Sequence, residues 1–220
     1  MLVTLVGPDV GGSDVVGIYR VDGPTSFTLV ADIGAFSIAN PPATDFFVPS
    51  GVQYALQAYR GRLLVTDGHH NRVLGVTRGG QITVLGAFGN IVPTGLDVQG
   101  RTIYLAQAGP APHLPSDGKV VAFRPRSTTV RELASGGRLL VDVELGRGHR
   151  LYALAQGLFT PGNPEGAPAE PNTGALVKAN RDGTFTTVTD RLNQPTALEL
   201  IAKTACVVTL GGEIWKIKGV

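Results

Sequence analysis

The chain has 220 residues, enough for one domain with a substantial core. Hydrophobic residues make up 43% and charged residues 16%, which excludes a disordered chain, and the formal net charge of +2, without a basic run, excludes a partner bound through its phosphate backbone. Nothing in it approaches the roughly 20 apolar residues of a membrane-spanning helix, while Gly (30) and Pro (15) point to short strands joined by turns.

In chain order, Val3–Val6 reads as a strand, with no basic region or cleavage site before it, so no signal peptide is visible. Gly17–Val21 and Ser26–Val30 follow. Phe36–Asn40 suggests one short helical turn, and no other helix is expected. The best-defined unit has strands at Tyr54–Tyr59, Arg62–Thr66, Arg72–Thr77 and Gln81–Leu85. The next copy runs Gly95–Val98, Thr102–Ala106, Lys119–Phe123 and Thr128–Leu133. A third runs Val141–Leu145, Arg150–Ala155, Ala175–Asn180 and Thr184–Thr189, with Asp182-Gly183 as a two-residue hairpin signal. Leu198–Ile201, Ala205–Thr209 and Glu213–Ile217 close the chain with three strands.

Four strands in about 40–45 residues, repeated in a constant order of turn lengths, is the spacing of propeller blades. Residues 1–220 therefore read as a single all-β propeller domain of four-stranded blades, with partial blades at both ends. First-to-second connections are tight (Arg60-Gly61, Gln99-Gly100, Gly146–His149, Ala202-Lys203), and most third-to-fourth ones are too. The long connections are second-to-third (Gly7–Val16, Gln107–Gly118, Gln156–Gly174) and blade-to-blade (Ala31–Ser50, Gly86–Thr94). Those two classes leave a blade on the same face, where loops on a rigid scaffold carry function. The candidate ligand-binding residues of that face and the channel are Asp67, His69, His70, Asn90, Gln107, His113, Gln156 and Asn172.

The inner strands share a polar position, occupied by Gln57, Asp97, Glu144 and Glu199. Lining a central channel, three carboxylates there would either share a cation such as Ca²⁺ or raise one another's pKa. Separate satisfaction by water and backbone amides is the simpler reading, and an alternative register substitutes Gln53 and Asp142. His69, His70 and His113 lie on the elaborated face and are of the type that binds Zn²⁺, but a His-His pair has no diagnostic spacing. A structural role in the repeat is the preferred reading. No cofactor is otherwise implied.

Asp67 and Asn71 are expected to bond backbone amides and hold their loop. Cys206, the one cysteine, sits in an apolar run and reads as a buried, inert thiol. The segment Thr160–Thr173 looks like an exposed flap, with Glu165 and Glu170 solvated. Neither a Gly-x-Ser-x-Gly elbow nor a phosphate-binding loop occurs.

Val65-Thr66-Asp67-Gly68-His69-His70-Asn71-Arg72-Val73 resembles an NHL-type repeat. With Gly17–Gly23, Leu29–Pro41, Gly89–Gly95, Ala106–His113, Pro171–Gly174 and Gln194–Thr196, the chain more widely resembles the ScyD/ScyE family. That resemblance implies a bacterial six-bladed propeller, extracellular or periplasmic, with about one N-terminal blade missing from this chain and Met1 inside the second blade. A truncated gene or late start codon is the preferred explanation. It carries over no catalytic residue. The leading expectation is a non-enzymatic module binding a protein, glycan or small ligand, with self-association through open blade edges. The alternative is a metal-dependent hydrolase or lyase of the lactonase-like or NHL-lyase type, which rests on fold-level analogy.

Overall fold

The computed structural model describes residues 2–3, 15–125, 127, 129–164 and 166–220. Its fold class is the all-β propeller, built of antiparallel sheets in which neighbours in sequence are neighbours in space. The described residues form two compact units, Met1–Pro93 and Thr94–Val220.

The first unit holds a three-stranded sheet, β1 (Leu2–Val3), β2 (Gly17–Gly23) and β3 (Ser26–Asp32), then helix α1 (Ile33–Ala39). A four-stranded blade follows: β4 (Gln53–Tyr59), β5 (Arg62–Asp67), β6 (Arg72–Thr77) and β7 (Ile82–Ala87). Ile18, Ala31 and Ile33 pack against Val65, Leu74 and Val76 in the core of this unit. Burying each of the larger side chains contributes roughly 1.5–3 kcal/mol.

The second unit continues with the blades β8 (Pro93–Gln99), β9 (Thr102–Gln107), β10 (Gly118–Phe123), β11 (Arg131–Gly137) and β12 (Leu140–Leu145), β13 (Leu151–Ala155), β14 (Gly174–Ala179), β15 (Phe185–Leu192). A last three-stranded sheet is β16 (Pro195–Ile201), β17 (Thr204–Thr209) and β18 (Ile214–Lys218). Ala106 and Val120 of one blade meet Leu140, Val143, Ala153 and Val177 of the next. Period-two alternation explains this, since each middle blade has two faces to bury.

Several expectations need correction. Helix α1 is longer than a turn and starts earlier, because Asp32 accepts from the Ala35 amide at 2.7 Å and caps it. The outer strand expected at 128–133 is Arg131–Gly137, and that expected at 184–189 is Phe185–Leu192. The Asp182-Gly183 signal marks a longer turn, closed by Asn180 N to Thr184 O at 2.8 Å. Residues 4–6 of the first expected strand, most of Gly7–Val16, and Glu165 lie outside the described residues. Cys206 is only partly buried, because alternation along β17 sends Ala205 and Val207 inward and Cys206 to the other face. The flap is no loose excursion either: Ala169 is buried within it, and Phe159, which precedes it, is buried too.

Inner strands approach closely at Gly95. A Cβ there would meet Asp142 and lie 2.8 Å from Val141 O. Gly95→Ala is expected to cost about 1–3 kcal/mol as an overpacking change. Gly89→Ala, with nothing within 4 Å of the added Cβ, should stay within about 0.5 kcal/mol of wild type. Urea unfolding of the two variants checks this, and equal midpoints would refute the close-packed joint.

Candidate functional site

Two groups of loop residues and one group of inner-strand acids hold the chemistry. In the first unit the β5–β6 hairpin sets Asp67 directly opposite Arg72. Arg72 Nε lies 3.0 Å from Asp67 Oδ2, with both side chains buried. The other carboxylate oxygen accepts from the amides of Val52 (3.1 Å) and His70 (3.4 Å). Gly51, at φ +75, passes so close that a Cβ would strike this carboxylate.

Arg72 also donates to Asn40 O (2.7 Å) and Ser37 Oγ (2.9 Å), and lies 5.5 Å from the Phe36 ring centroid, so it binds the C-terminal half of α1 to the blade. It meets His70 Nδ1 at 2.9 Å; a guanidinium only donates, so Nδ1 accepts and Nε2 donates to Val48 O at 3.1 Å. Both ring nitrogens of His70 are therefore occupied. His69 Nε2 accepts from the Phe47 amide at 2.7 Å, with the two rings edge to face at 4.2 Å. Asn71 Oδ1 accepts from the amides of Ile91 and Val92, each at 2.9 Å, while its Nδ2 reaches Thr44. Asp67 and Asn71 thus hold backbone amides as expected. Asn90 is exposed.

In the second unit the loop after β9 folds on itself. His113 Nδ1 donates to Gly109 O at 2.7 Å, which leaves Nε2 as an acceptor. Its ring stands edge to face on Phe159 at 4.9 Å, joining the loops of neighbouring blades. Gln107, ending β9, is buried. Gln156 Oε1 accepts from Ala169 N (2.9 Å), and Gln194 Nε2 donates to Ala169 O (2.7 Å), so two side-chain amides clamp one residue of the flap on both sides. Glu170, exposed, accepts from Thr160. Asn172, also exposed, has φ +57 in the turn before β14.

The acids lie on β8, β12 and β16. Gln57, Asp97, Glu144 and Glu199 each stand four residues after the start of their strands. Asp97 Oδ2 accepts from Leu145 N at 2.9 Å, and Asp142 Oδ2 from Leu198 N at 2.7 Å, so each carboxylate bridges to the next inner strand. Desolvation raises the Asp142 carboxyl to about 7 against the amides of Leu198 and Val143, with the charges of Asp97 and Glu199 adding to the rise. Desolvation likewise lifts Glu144 to about 9, followed by the charges of Asp97, Asp142 and Glu199. Among the described residues, no group of three His, Cys, Asp or Glu is arranged to hold a metal ion.

Sequence reasoning missed Arg72, Ser37 and Asn40 of the buried network, and Phe159 and Gln194 of the second. A charged residue opening an apolar strand, across a hairpin from an acid, was the available signal for Arg72.

No protein-family model matches the chain, and no curated protein does. Solved structures do. A chain in a nidogen/laminin complex superposes with a TM-score of 0.62 at 13% identity, over 88% of this chain and 64% of that one. A gluconolactonase from Xanthomonas campestris gives 0.54 at 20% identity, over 71% of this chain and 54% of that one. Identities this low show the fold alone. The chain spans less than two thirds of the length of either. Among the described residues no helix is long and apolar enough to cross a membrane.

Arg72→Ala would leave Asp67 buried without its cation, at an expected cost of about 3–5 kcal/mol. Denaturant unfolding measures it, and a loss below about 1 kcal/mol would show the network to be dispensable.

A second expectation concerns pH. Because the folded pKa values of Asp142 and Glu144 are raised, their favourable contribution is complete below about pH 4, the unfolded range. It declines as pH rises through about 7 for Asp142 and about 9 for Glu144. The melting temperature should fall from pH 5 to pH 9, and Glu144→Gln should flatten the upper part of that slope. A pH-independent wild type would refute the raised values.

Proposed function

We propose that the chain is a non-enzymatic propeller module that binds a protein, glycan or small ligand through the loops following its second strands. The observation that carries this is the pair of joined loops in the second unit, whose contacting side chains His113, Phe159 and Gln156 are themselves buried. There His113 of one loop packs on Phe159 of the next with Nε2 left as an acceptor, beside a flap clamped by Gln156 and Gln194. Loops held this firmly keep the exposed residues they carry pre-organised, which lowers the ordering cost of binding. The nidogen/laminin structure supports protein recognition as one use of this fold. The finer reading, a secreted bacterial member of the ScyD/ScyE family with a further N-terminal blade, rests on the sequence resemblance.

The second reading is a metal-dependent hydrolase or lyase. It is favoured by the acids on three adjacent inner strands and by the gluconolactonase likeness. As placed, Asp97 and Asp142 direct carboxylate oxygens to backbone amides, and the set does not form an ion cage, so no step is derived through a metal.

Self-association belongs to the first reading. Phe27 (50% exposed), Val21 (48%) and Leu29 (41%) form an open apolar face on the first sheet. Phe27→Ser should shift sedimentation toward monomer, and a wild type already monomeric at high concentration would remove this element.

A thermal-shift screen of glycans and small molecules tests the main reading. A hit should raise the melting temperature of wild type by mass action and lose at least about tenfold in affinity with His113→Ala. Because His113 is buried and packs on Phe159, the variant's own melting temperature should also fall, so affinities are compared at a temperature where both proteins are folded. Lactone hydrolysis that depends on added Ca²⁺ or Zn²⁺ and disappears with Asp142→Asn would favour the second reading instead.

A further inference from the structure

Charge in the second unit is divided between the two ends of its blades. Each sheet is an up-and-down meander, so first-to-second and third-to-fourth turns leave at one end and second-to-third connections at the other. Neighbouring inner strands run the same way. Thr94 Oγ1 donates to Leu140 O near the starts of β8 and β12, and Asp97 accepts from Leu145 N near their ends. Between β12 and β16, Asp142 accepts from Leu198 N. Gln156, just past the residue paired with Leu140, donates to Pro195 O at the start of β16. The tight turns of all three sheets therefore share one end.

That end is basic. Arg101 sits in the β8–β9 turn, Arg124 in β10–β11, Arg147 and Arg150 in β12–β13, Arg181 in β14–β15 and Lys203 in β16–β17, and all are exposed. Arg124, Arg147, Arg150, Arg181 and Lys203 form no ion pair with a described residue. The acid in these turns is Asp182, whose Oδ1 already accepts from Thr184 N at 3.0 Å and Thr184 Oγ1 at 2.7 Å. A contact of 2.7 Å between Gln99 Nε2 and His149 Nδ1 holds the β8–β9 and β12–β13 turns side by side. At the other end, the connections 108–117, 156–173 and 210–213 hold Asp117, Glu165, Glu170 and Glu213 and no lysine or arginine. A formal net charge of +2 conceals this separation.

Unneutralised cations gathered on one end raise the local concentration of anions. Spread turn by turn, they match a chain that repeats its charge, not one compact anion. Arginine's planar fork pairs with a planar carboxylate through parallel hydrogen bonds. The large apolar side chains exposed in or beside these turns are Val130 and Ile201, and no Phe, Tyr or Trp occurs in the turns themselves. A protein interface is built on a desolvated apolar or aromatic centre, a single-stranded nucleic acid on stacking rings, and a membrane surface on an apolar face that inserts. We propose that this end of the second unit binds a polyuronate, a linear polysaccharide with a carboxylate on successive sugars, through arginine–carboxylate pairs on adjacent turns. This surface lies opposite the loops proposed above and is independent of them.

The probe is a long α-1,4-linked oligogalacturonate. Its control is the same chain fully methyl-esterified, which removes the charge and keeps the sugars. Calorimetry at low salt should give saturable binding of the first and none of the second, weakening steeply as sodium chloride is raised. The Arg147→Ser, Arg150→Ser double variant, changed only at exposed side chains and expected to melt like wild type, should lose about tenfold or more in affinity. Arg147→Lys with Arg150→Lys keeps the charge without the fork and should restore only part of the loss. Arg138→Ser, exposed in the β11–β12 connection at the other end, should bind as wild type does, which separates recognition at the turns from attraction to net charge. Absence of saturable binding, or equal affinity for polyglutamate or duplex DNA, would overturn the proposal. So would full restoration by lysine, or an effect of Arg138→Ser equal to that of the double variant.

Discussion

Backbone amides on the inner strands that no neighbouring strand accepts must find acceptors elsewhere. In the second unit Asp97 receives Leu145 N and Asp142 receives Leu198 N, so the acceptors come from the preceding inner strand. Much else in the unit follows from these bridges. They hold successive inner strands near enough that Gly95 has no room for a side chain against β12, and Thr94 Oγ1 reaches Leu140 O at 2.8 Å. They also hold acids together. Glu144 shares that space with three other carboxylates, and its raised pKa reflects desolvation first and their charges second.

The first unit solves a related problem with one cation. Asp67, Arg72, Ser37 and His70 form a buried polar network whose members satisfy one another. Two oxygens of Asp67 hold two amides and a guanidinium, and that guanidinium reaches both strand and helix. The loop carrying His69 and His70 is accordingly rigid by construction. Here the histidines are chiefly part of the scaffold, whereas in the second unit His113 keeps one nitrogen as an acceptor.

Both units therefore present loops whose backbone is tied down by side chains from several segments, which is what a recognition surface requires.

Hairpin order and the tight turns were legible in the sequence because they are local. Gly61, at φ +82, sits where glycine is favoured and so marks the turn after Arg60. The shared position of Gln57, Asp97, Glu144 and Glu199 was legible too, since it depends only on counting along each strand. Asp142 was legible only as an alternative register, and its central place was not decided by the sequence. A register shift between Leu140 and Asp142 alters which residue bridges to the next strand, and period-two alternation does not reveal a bulge. The partners of Arg72 were equally hidden, because Asn40 and Ser37 lie 32 and 35 residues away and meet it only when α1 docks on the blade. Alternation and turn chemistry by themselves determined the repeat, its all-β class and its candidate acids. Only the tertiary structure decided which polar groups satisfy one another and which remain available, because hydrogen-bond partners across blades are set by packing and not by spacing along the chain.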